Sequence, residues 1–299
     1  RSWSTDFRKF WIAEAKSELI RSMHPAGTLV LNADNANSRF LSLKGFRGKI
    51  IKVGIRNPAA YRAKHIRASD KGIRFQVRLN GKDTEMFIPC LGVHNVYNAL
   101  NAIAVTHSLG FSANEIRAGL ARYPIPYRRL VRTRLPRQII LIDDTFSSNP
   151  DAVQAALDTL MAMPRKHKIA VIGSMKDLGK AKLRLHREVG RYAAKCRPTK
   201  LFTIGKLALH IAAGARAAGY PGQRIRSFTD KLPLHRSLIR EIRPDTAILV
   251  KGTHLLKLEQ TVAYLKRALS RPQSTATRQR KVVSHQRNAL YHRRKTLSH

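Results

Sequence analysis

The stretch LGVHNVYNALNAIA, Leu91 to Ala104, decides the fold of the first half of the chain. Its large apolar residues recur at helical spacing, at Val96, Leu100 and Ile103. This spacing predicts a helix with one buried face. His94 and Asn95 open the helix, and Asn98 lies on the same face as Asn95. Two interpretations of these polar residues stay open: they cap the helix, or they contact a ligand.

The residues around this helix predict a mixed first domain over 1–122. The predicted elements are helices over 7–23 and 112–122, strands over 27–32 and 49–55, and a hairpin over 63–88 that turns at Asn80-Gly81. The second of those helices opens with Ser112-Ala-Asn-Glu115, the capping-box pattern. The proline-stiffened sequence YPIPYRR, 123–129, then predicts a linker to a second domain over 123–269.

The second domain alternates strand-like and helix-like segments. Strands are predicted at 138–143, 168–172, 201–204 and 247–250. This alternation predicts an α/β fold with a doubly wound, mostly parallel sheet. Ligands of such sheets gather at the carboxyl ends of the strands. Those ends are Asp143-Asp144, Gly173-Ser174, Gly205-Lys206 and Lys251-Gly252.

The composition is strongly basic. Among 299 residues, 57 are Lys or Arg and 18 are Asp or Glu, which gives a formal net charge of +39. Such a charge bears on solubility and polyanion binding rather than on fold. The segment 270–299 is rich in Arg, Lys, His and Ser, which predicts a disordered basic tail. Two interpretations of this tail stay open: a solvated charge run, or a tether to nucleic acid or anionic membrane.

The two cysteines, Cys90 and Cys196, lie far apart and belong to no CxxC pair. They indicate neither a zinc site nor a disulfide framework, and a reducing, cytoplasmic setting fits them best. The sequence contains no apolar run of about 18 residues that would predict a membrane span. Its start lacks the features of a signal peptide.

Six motifs of the chain resemble, in order, motifs of the Mur ligase family. They are WIAEAKSELI (11–20), GTLVLNADN (27–35), LGVHNVYNALNAIA (91–104), IDDTFSSNPDAVQAAL (142–157), VIGSMKDLG with LHREVG (171–190), and LVKGTHLLKLEQ (249–260). The fourth and fifth resemble the MurF-like branch. The resemblance covers roughly residues 10–265. It implies the C-terminal half of the central ATPase domain of a Mur ligase, followed by a Rossmann-like domain.

The resemblance also implies an activity. Members of this branch are ATP-dependent amide ligases of peptidoglycan precursor synthesis, which add D-Ala-D-Ala to a UDP-MurNAc-peptide through an acyl phosphate. The implied cofactors are ATP and Mg2+, because the charge on the transferred phosphoryl group must be neutralised. The alternative is a non-catalytic protein that keeps the Mur scaffold and binds nucleic acid or other polyanions through its basic surface.

Family motifs assign roles to particular residues. The implied Mg2+ ligand is Lys16, as a carbamate. The implied ATP-binding residues are Asn32, Asp34, His94, Asn95, Asn98, Arg128 and Asp144, with the adenine at His94, Asn95 and Asn98 and the ribose between Arg128 and Asp144. For Asn32 and Asp34, an Asx turn after a strand is the open alternative. The implied residues toward the incoming dipeptide are Asn149, Ser174, Lys251 and Thr253.

Several family features are absent from the sequence. No GK[ST] phosphate-binding loop occurs in the 299 residues. Gly173 to Ala181, GSMKDLGKA, is a poor substitute, because five residues rather than four separate its glycines and Ala181 stands where a Mg2+-binding hydroxyl is needed. Ser174, Thr253-His254-Leu255, Phe146-Ser147-Ser148-Asn149 and Tyr127-Arg128 depart from family patterns. We therefore expect a truncated or divergent ligase that is inactive as an isolated chain.

Overall fold

A computed structural model describes residues 13–270 of the chain. The beginning of the predicted first helix and almost all of the predicted basic tail lie outside these residues. The elements of the first half are helix α1 (13–21), strands β1 (Thr28–Asn32), β2 (Lys49–Gly54), β3 (Tyr61–Arg62), β4 (Lys64–Ala68), β5 (Ile73–Leu79) and β6 (Lys82–Ile88), and helices α2 (His94–Ser108) and α3 (Ala113–Ala121).

The first half forms two three-stranded sheets around one core. Strands β1, β2 and β3 pair in parallel, and β4, β5 and β6 pair antiparallel. The predicted hairpin is confirmed at β5 and β6, where Leu79 pairs with Lys82. Asn80 and Gly81 both have positive φ, 47° and 78°, as a tight two-residue turn requires.

Helix α2 buries the face that its sequence predicts. Its buried side chains are Val96, Ala99, Leu100, Ile103 and Ala104, which pack against residues of β2, β5 and β6. The capping box of α3 is also confirmed, since the Ser112 hydroxyl accepts a hydrogen bond from the Glu115 amide and the Glu115 carboxylate accepts one from the Ser112 amide. Both helices therefore begin within one or two residues of their predicted starts.

The second half is the predicted doubly wound domain. Its elements are β7 (Val131–Leu135), β8 (Ile139–Asp144), α4 (Pro150–Met161), β9 (His167–Gly173), α5 (Lys182–Cys196), β10 (Lys200–Ile204), α6 (Leu209–Ala217), β11 (Ile225–Phe228), α7 (Lys231–Glu241), β12 (Thr246–Lys251) and α8 (Glu259–Ser270). The six strands are ordered β11-β10-β9-β12-β8-β7. All neighbours are parallel except β7 and β8.

The four predicted strands are the central four of this sheet, and the two edge strands were not predicted. Central strands bury both faces and therefore read as continuous apolar runs. Strand β7 has the sequence Val-Arg-Thr-Arg-Leu, and β11 has Ile-Arg-Ser-Phe. The arginines and the short length of these strands hide them from a search for apolar runs.

Helices cover both faces of the six-stranded sheet. Helices α4, α5 and α6 pack on one face, on a core that includes Ile140, Ile142 and Leu249. Helices α7 and α8 pack on the other, on a core that includes Leu141 and Ile248. Successive side chains of each strand thus point into the cores on opposite faces of the sheet, as the pleat requires. Within residues 13–270, every helix is too short or too polar to cross a lipid bilayer.

Candidate functional site

A cleft of about 430 Å3 lies between the two halves of the chain. One wall is the first turn of α2, and the opposite wall is formed by the end of β8, the start of α4 and the end of β12. Six of the sequence-predicted site residues line it: His94, Asn95, Asn98, Asp144, Asn149 and Lys251. They come from segments more than 150 residues apart in the chain, so the fold brings together polar groups that the sequence separates.

Hydrogen bonds fix the asparagine side chains on the α2 wall. The Asn95 amide group donates to the Leu91 carbonyl at 2.7 Å, and the Asn98 amide group donates to the Asn95 side-chain oxygen at 2.9 Å. The residue before the helix is Val93, and no side chain caps the helix. The capping interpretation therefore does not describe His94 and Asn95. A chain of amides, each orienting the next, faces the cleft instead.

The His94 imidazole stands at the mouth of the cleft. Part of its side chain reaches solvent, but protein atoms crowd around the ring, and this desolvation lowers its pKa. The carboxylate of Asp144 raises the pKa and the ammonium of Lys251 lowers it, which are smaller effects. Because the ordinary pKa of histidine is about 6.5, the ring is neutral at pH 7. A neutral ring offers one donor and one acceptor, which suits a heterocyclic base better than a phosphate.

A buried ion pair forms the floor of the cleft. Lys251 Nζ donates to Asp144 Oδ2 at 2.7 Å and to the Ser147 carbonyl at 3.0 Å. The Lys251 side chain is only 2% exposed. Its charge is therefore already matched by the Asp144 carboxylate. Asp144 Oδ1 has no hydrogen-bond partner among residues 13–270, and it is the carboxylate oxygen left for a ligand.

The linker presents Arg129, rather than Arg128, to the cleft. The Arg128 guanidinium donates from Nε to the Thr145 hydroxyl at 3.0 Å and pairs with the Glu259 carboxylate. Arg129 lines the cleft, with its guanidinium 4.7 Å from the centre of the Phe146 ring. Arg128 has a φ of +56°, in the left-handed region. This backbone conformation decides which of two adjacent arginines faces inward, and the sequence carries no clear signal for it.

Asn32 and Asp34 bond within their own half and do not line the cleft. The Asn32 side-chain oxygen accepts a hydrogen bond from the Asp34 amide at 2.9 Å, which is the Asx-turn alternative. The Asp34 carboxylate accepts hydrogen bonds from the backbone amides of residues 55, 56 and 57 and from the Tyr97 hydroxyl. Burial alone would raise the pKa of Asp34, but these hydrogen bonds outweigh it and lower the pKa to about 2.

Lys16 lies on the exposed side of α1 and does not line the cleft. Its neighbour Ser17 is buried, donates to the Ala13 carbonyl at 2.7 Å and accepts from the Ser42 amide at 2.9 Å. Within residues 13–270, no group of three or more His, Cys, Asp or Glu side chains could hold a metal ion.

The three remaining predicted residues lie along the carboxyl edge of the sheet. Asn149 caps α4, since its side-chain oxygen accepts from the Ala152 amide at 2.8 Å. The Ser174 hydroxyl accepts from the Ala208 amide at 2.9 Å and lies away from the cleft. The hydroxyls of Thr253 and Ser148 are buried without a hydrogen-bond partner, in loops that follow the adjacent strands β12 and β8.

Sequence reasoning missed five polar or ionisable residues that line the cleft. They are Cys90, Tyr123, Arg129, Ser147 and Asp151. Tyr123 belongs to the predicted linker, and Asp151 closely follows the end of a predicted strand. Their positions in the sequence could therefore have identified both as candidate site residues. A second, apolar cavity of about 340 Å3 lies beside the cleft and shares His94 and Ala155 with it.

Two family models match the chain. The Mur ligase middle domain matches residues 10–106, and the Mur ligase glutamate ligase domain matches residues 128–254. Among curated proteins, the chain is similar to UDP-N-acetylmuramoyl-tripeptide–D-alanyl-D-alanine ligase of Synechocystis sp., with 30% identity over 254 residues. That match spans 85% of this chain and 53% of the relative. The enzyme of the same name from Escherichia coli is 30% identical over 262 residues, which span 85% of this chain and 55% of the relative.

Solved structures show the same fold. MurF from Acinetobacter baumannii superposes with a TM-score of 0.76 at 24% identity, over 86% of this chain and 55% of that one. MurF from Thermotoga maritima, solved in complex with ADP, gives a TM-score of 0.73 at 17% identity, over 86% and 57% of the two chains. The present chain thus spans about half the length of the relatives that it matches.

Proposed function

The chain belongs to the Mur ligase family, and from this premise we propose that it is the nucleotide-binding, C-terminal part of an ATP-dependent amide ligase of peptidoglycan precursor synthesis. The reaction we propose adds D-Ala-D-Ala to a UDP-MurNAc-peptide through an acyl phosphate, in the cytoplasm. The observation that carries the proposal is the cleft between the halves. Polar groups from both walls converge there on a space of about 430 Å3, in the size range of small-ligand sites.

The chemistry of the lining residues supports an adenosine nucleotide in this cleft. The amides of Asn95 and Asn98 and the neutral His94 ring offer donors and acceptors at one wall, where the adenine would bind. Asp144 Oδ1 at the floor can accept hydrogen bonds from ribose hydroxyls. Arg129 is the linker cation that faces the same space, and we assign to it the role that the family pattern gives to Arg128.

The phosphate and metal parts of the reaction stay proposals from the resemblance. Bound Mg2+ would neutralise charge on the phosphoryl oxygens. Among residues 13–270 no group of three or more His, Cys, Asp or Glu side chains could hold a metal ion, and Lys16, as a carbamate, is the ligand we propose. Asn149 and Thr253 are the residues we propose toward the incoming dipeptide, because the Thr253 hydroxyl is buried without a partner. The relatives named above are all ligases, so the non-catalytic alternative gains no support from them.

Titration calorimetry with ADP tests the proposal. We expect Asn98→Ala to weaken ADP binding by about tenfold, because a lost hydrogen bond of this kind contributes about 1 kcal/mol or more. Asn101→Ala is the matched control, since Asn101 is an exposed asparagine of the same helix that does not line the cleft. Equal ADP affinities of the two variants would remove α2 from the site.

We choose Asn98 for this test because Asp144 also neutralises the buried Lys251, so that its substitution would alter stability as well as binding. The 299-residue chain should bind ADP without catalysing ligation, because it contains no GK[ST] loop to hold the phosphates. Amide formation coupled to ADP release by this chain alone would contradict that expectation.

A further inference from the structure

Helix α5 carries a line of cations on its outward side. The helix has five Lys and Arg residues and a single acidic one, Glu188. Exposed cations recur along one side of the helix, at Arg184, Arg187, Arg191 and Lys195, and Lys180 continues the line just before the helix begins. The spacing of three or four residues places the four cations of the helix on the same face. We call these five residues the basic face of α5.

This face stands at the centre of a helical layer. On one side of α5, Tyr192 donates a hydrogen bond to Asp158 of α4. On the other side, α5 packs against α6 so closely that a Cβ at Gly190 would lie 2.0 Å from the Ile211 carbonyl oxygen. The basic face points outward between these two contacts. At 1.5 Å per residue, Arg184 and Lys195 are about 16 Å apart along the helix.

Most of the charge on this face is unmatched. Arg184 pairs with Glu188, but Lys180, Arg187, Arg191 and Lys195 have no ion pair with any of residues 13–270. Arg187 and Arg191 are four residues apart, as are Arg191 and Lys195, and like charges at this spacing destabilise a helix. Glu188 is the one acidic residue on the same face, and it pairs with Arg184. A polyanion bound along the line would relieve this repulsion.

We propose that the basic face of α5 binds the phosphodiester backbone of a nucleic acid. Phosphates repeat at short, regular intervals along a strand, so a linear row of cations can meet several of them at once. Three of the five cations are arginines, which can bind phosphate oxygens with two parallel hydrogen bonds. The contacts reach only the backbone and are independent of base sequence.

The same observations favour nucleic acid over an anionic membrane. The apolar residues of α5 are buried against the sheet and its neighbouring helices. The large apolar side chain that α5 exposes is Leu183 in its first turn, at 39%. A helix that lies in a membrane interface presents a whole apolar face to the lipid. The apolar face of α5 is instead packed in the protein core.

The test compares two charge-matched double variants. Arg187→Gln with Arg191→Gln removes two charges from the basic face. Arg236→Gln with Arg240→Gln removes two charges at the same four-residue spacing from α7, on the opposite face of the sheet. The probe is a fluorescein-labelled, single-stranded RNA of 20 nucleotides. Fluorescence anisotropy measures its affinity for the full 299-residue chain from 25 to 200 mM KCl.

We expect the α5 variant to bind RNA more weakly and to lower the slope of log affinity against log salt by about 1.4, since each phosphate contact to a single strand contributes about 0.7. The α7 variant should keep the slope of the parent. Arg187→Lys with Arg191→Lys should restore most of the slope, because it keeps both charges. ADP affinity should be the same in all four proteins, which separates this proposal from that of the cleft.

Three outcomes would overturn the proposal. Equal losses in the α5 and α7 variants would show that net charge alone attracts RNA. No loss in either variant would place the contacts elsewhere. Binding to vesicles of phosphatidylglycerol that depends on Arg187 and Arg191, with RNA binding that does not, would make the face a membrane contact.

Discussion

Asp34 illustrates how a side chain in a family motif can serve the scaffold. Its carboxylate accepts three backbone amides of residues 55–57 and the Tyr97 hydroxyl, at distances of 2.6 to 2.9 Å. These bonds hold the turn after β2 against helix α2, which carries one wall of the cleft. The residue therefore acts on the site through the position of α2.

The lowered pKa of Asp34 predicts a pH-dependent stability. A carboxylate whose folded pKa is about 2, below its ordinary 3.8, stabilises the fold fully above pH 4 and loses that contribution as the pH falls toward 2. We expect Asp34→Asn to lower the free energy of unfolding at pH 5 to 7, and the difference from the parent to shrink between pH 4 and 2. Urea denaturation at each pH measures it.

Asp83→Asn is the control for this experiment, because Asp83 is an exposed aspartate at the start of β6. It should differ little from the parent at any pH. A loss in Asp34→Asn that stays constant from pH 7 to 2 would show that the ionised carboxylate does not supply the stability.

The residue types of the site could be predicted from the sequence, but the directions of the side chains could not. His94, Asn98 and Asp144 line the cleft as the motifs imply. Arg128 and Arg129 have the same chemistry, and a positive φ in the folded linker selects between them. Lys251 follows a buried strand, and only the fold shows that its charge is matched by Asp144, 107 residues away.

At the scale of elements, helices α5 and α6 pack so closely that no side chain fits between their backbones at two glycines. A Cβ at Gly214 would lie 2.2 Å from the Arg187 carbonyl oxygen, and one at Gly190 would lie 2.0 Å from that of Ile211. These atoms belong to the backbone, so neither helix can relieve the contact by turning a side chain. Glycine at both positions lets the helices touch along their backbones.

Gly190→Ala should therefore destabilise the protein although alanine is the better helix former. We expect a loss of about 2 kcal/mol or more in the free energy of unfolding, typical of overpacking in a rigid contact. Gly119→Ala is the matched control in α3, because a Cβ there meets no atom within 4 Å. It should stabilise the protein by about 0.5 kcal/mol. Urea denaturation tests both, and a stabilised Gly190→Ala would contradict the close contact.

Elements with continuous apolar patterns could be predicted, and those at the sheet edges could not. Strands β8, β9, β10 and β12 bury nearly every side chain, so their sequences are distinctive. Strand β7 exposes Arg134 and takes its conformation from pairing with β8. An edge strand of this kind depends on its neighbour more than on its own composition.

At the scale of the whole molecule, ion pairs at Asp70 join the two halves. Asp70 follows β4 in the first half, and its carboxylate accepts a hydrogen bond from the Arg134 guanidinium of β7 at 3.0 Å. Arg165 lies 3.9 Å from the same carboxylate and 3.8 Å from that of Asp245. This network lies apart from the cleft and bears on how the halves are held together.

Asp70→Asn should weaken the contact between the two halves modestly, and the effect should depend on the salt concentration. We expect chymotrypsin to cleave the linker faster after the exposed Tyr127 in this variant at low salt. The difference should vanish near 1 M NaCl, where the Debye length is about 3 Å. Glu85→Gln is the control, since it breaks an exposed pair with Arg74 inside one sheet. Equal cleavage of both variants would show that Asp70 does not restrain the halves.

The order of strands in the large sheet has a consequence for synthesis on the ribosome. Strands β8 and β9 are neighbours in sequence but are separated in the sheet by β12, which emerges last of the six. At about 5–20 residues per second, the 107 positions between Asp144 and Lys251 delay its arrival by roughly 5–20 s. Until then the edges of β8 and β9 that pair with β12 are unpaired, and such edges can associate with other nascent chains. Strand β12 fills this gap and also carries Lys251, which pairs with Asp144. The floor of the cleft therefore forms only when the sheet is complete.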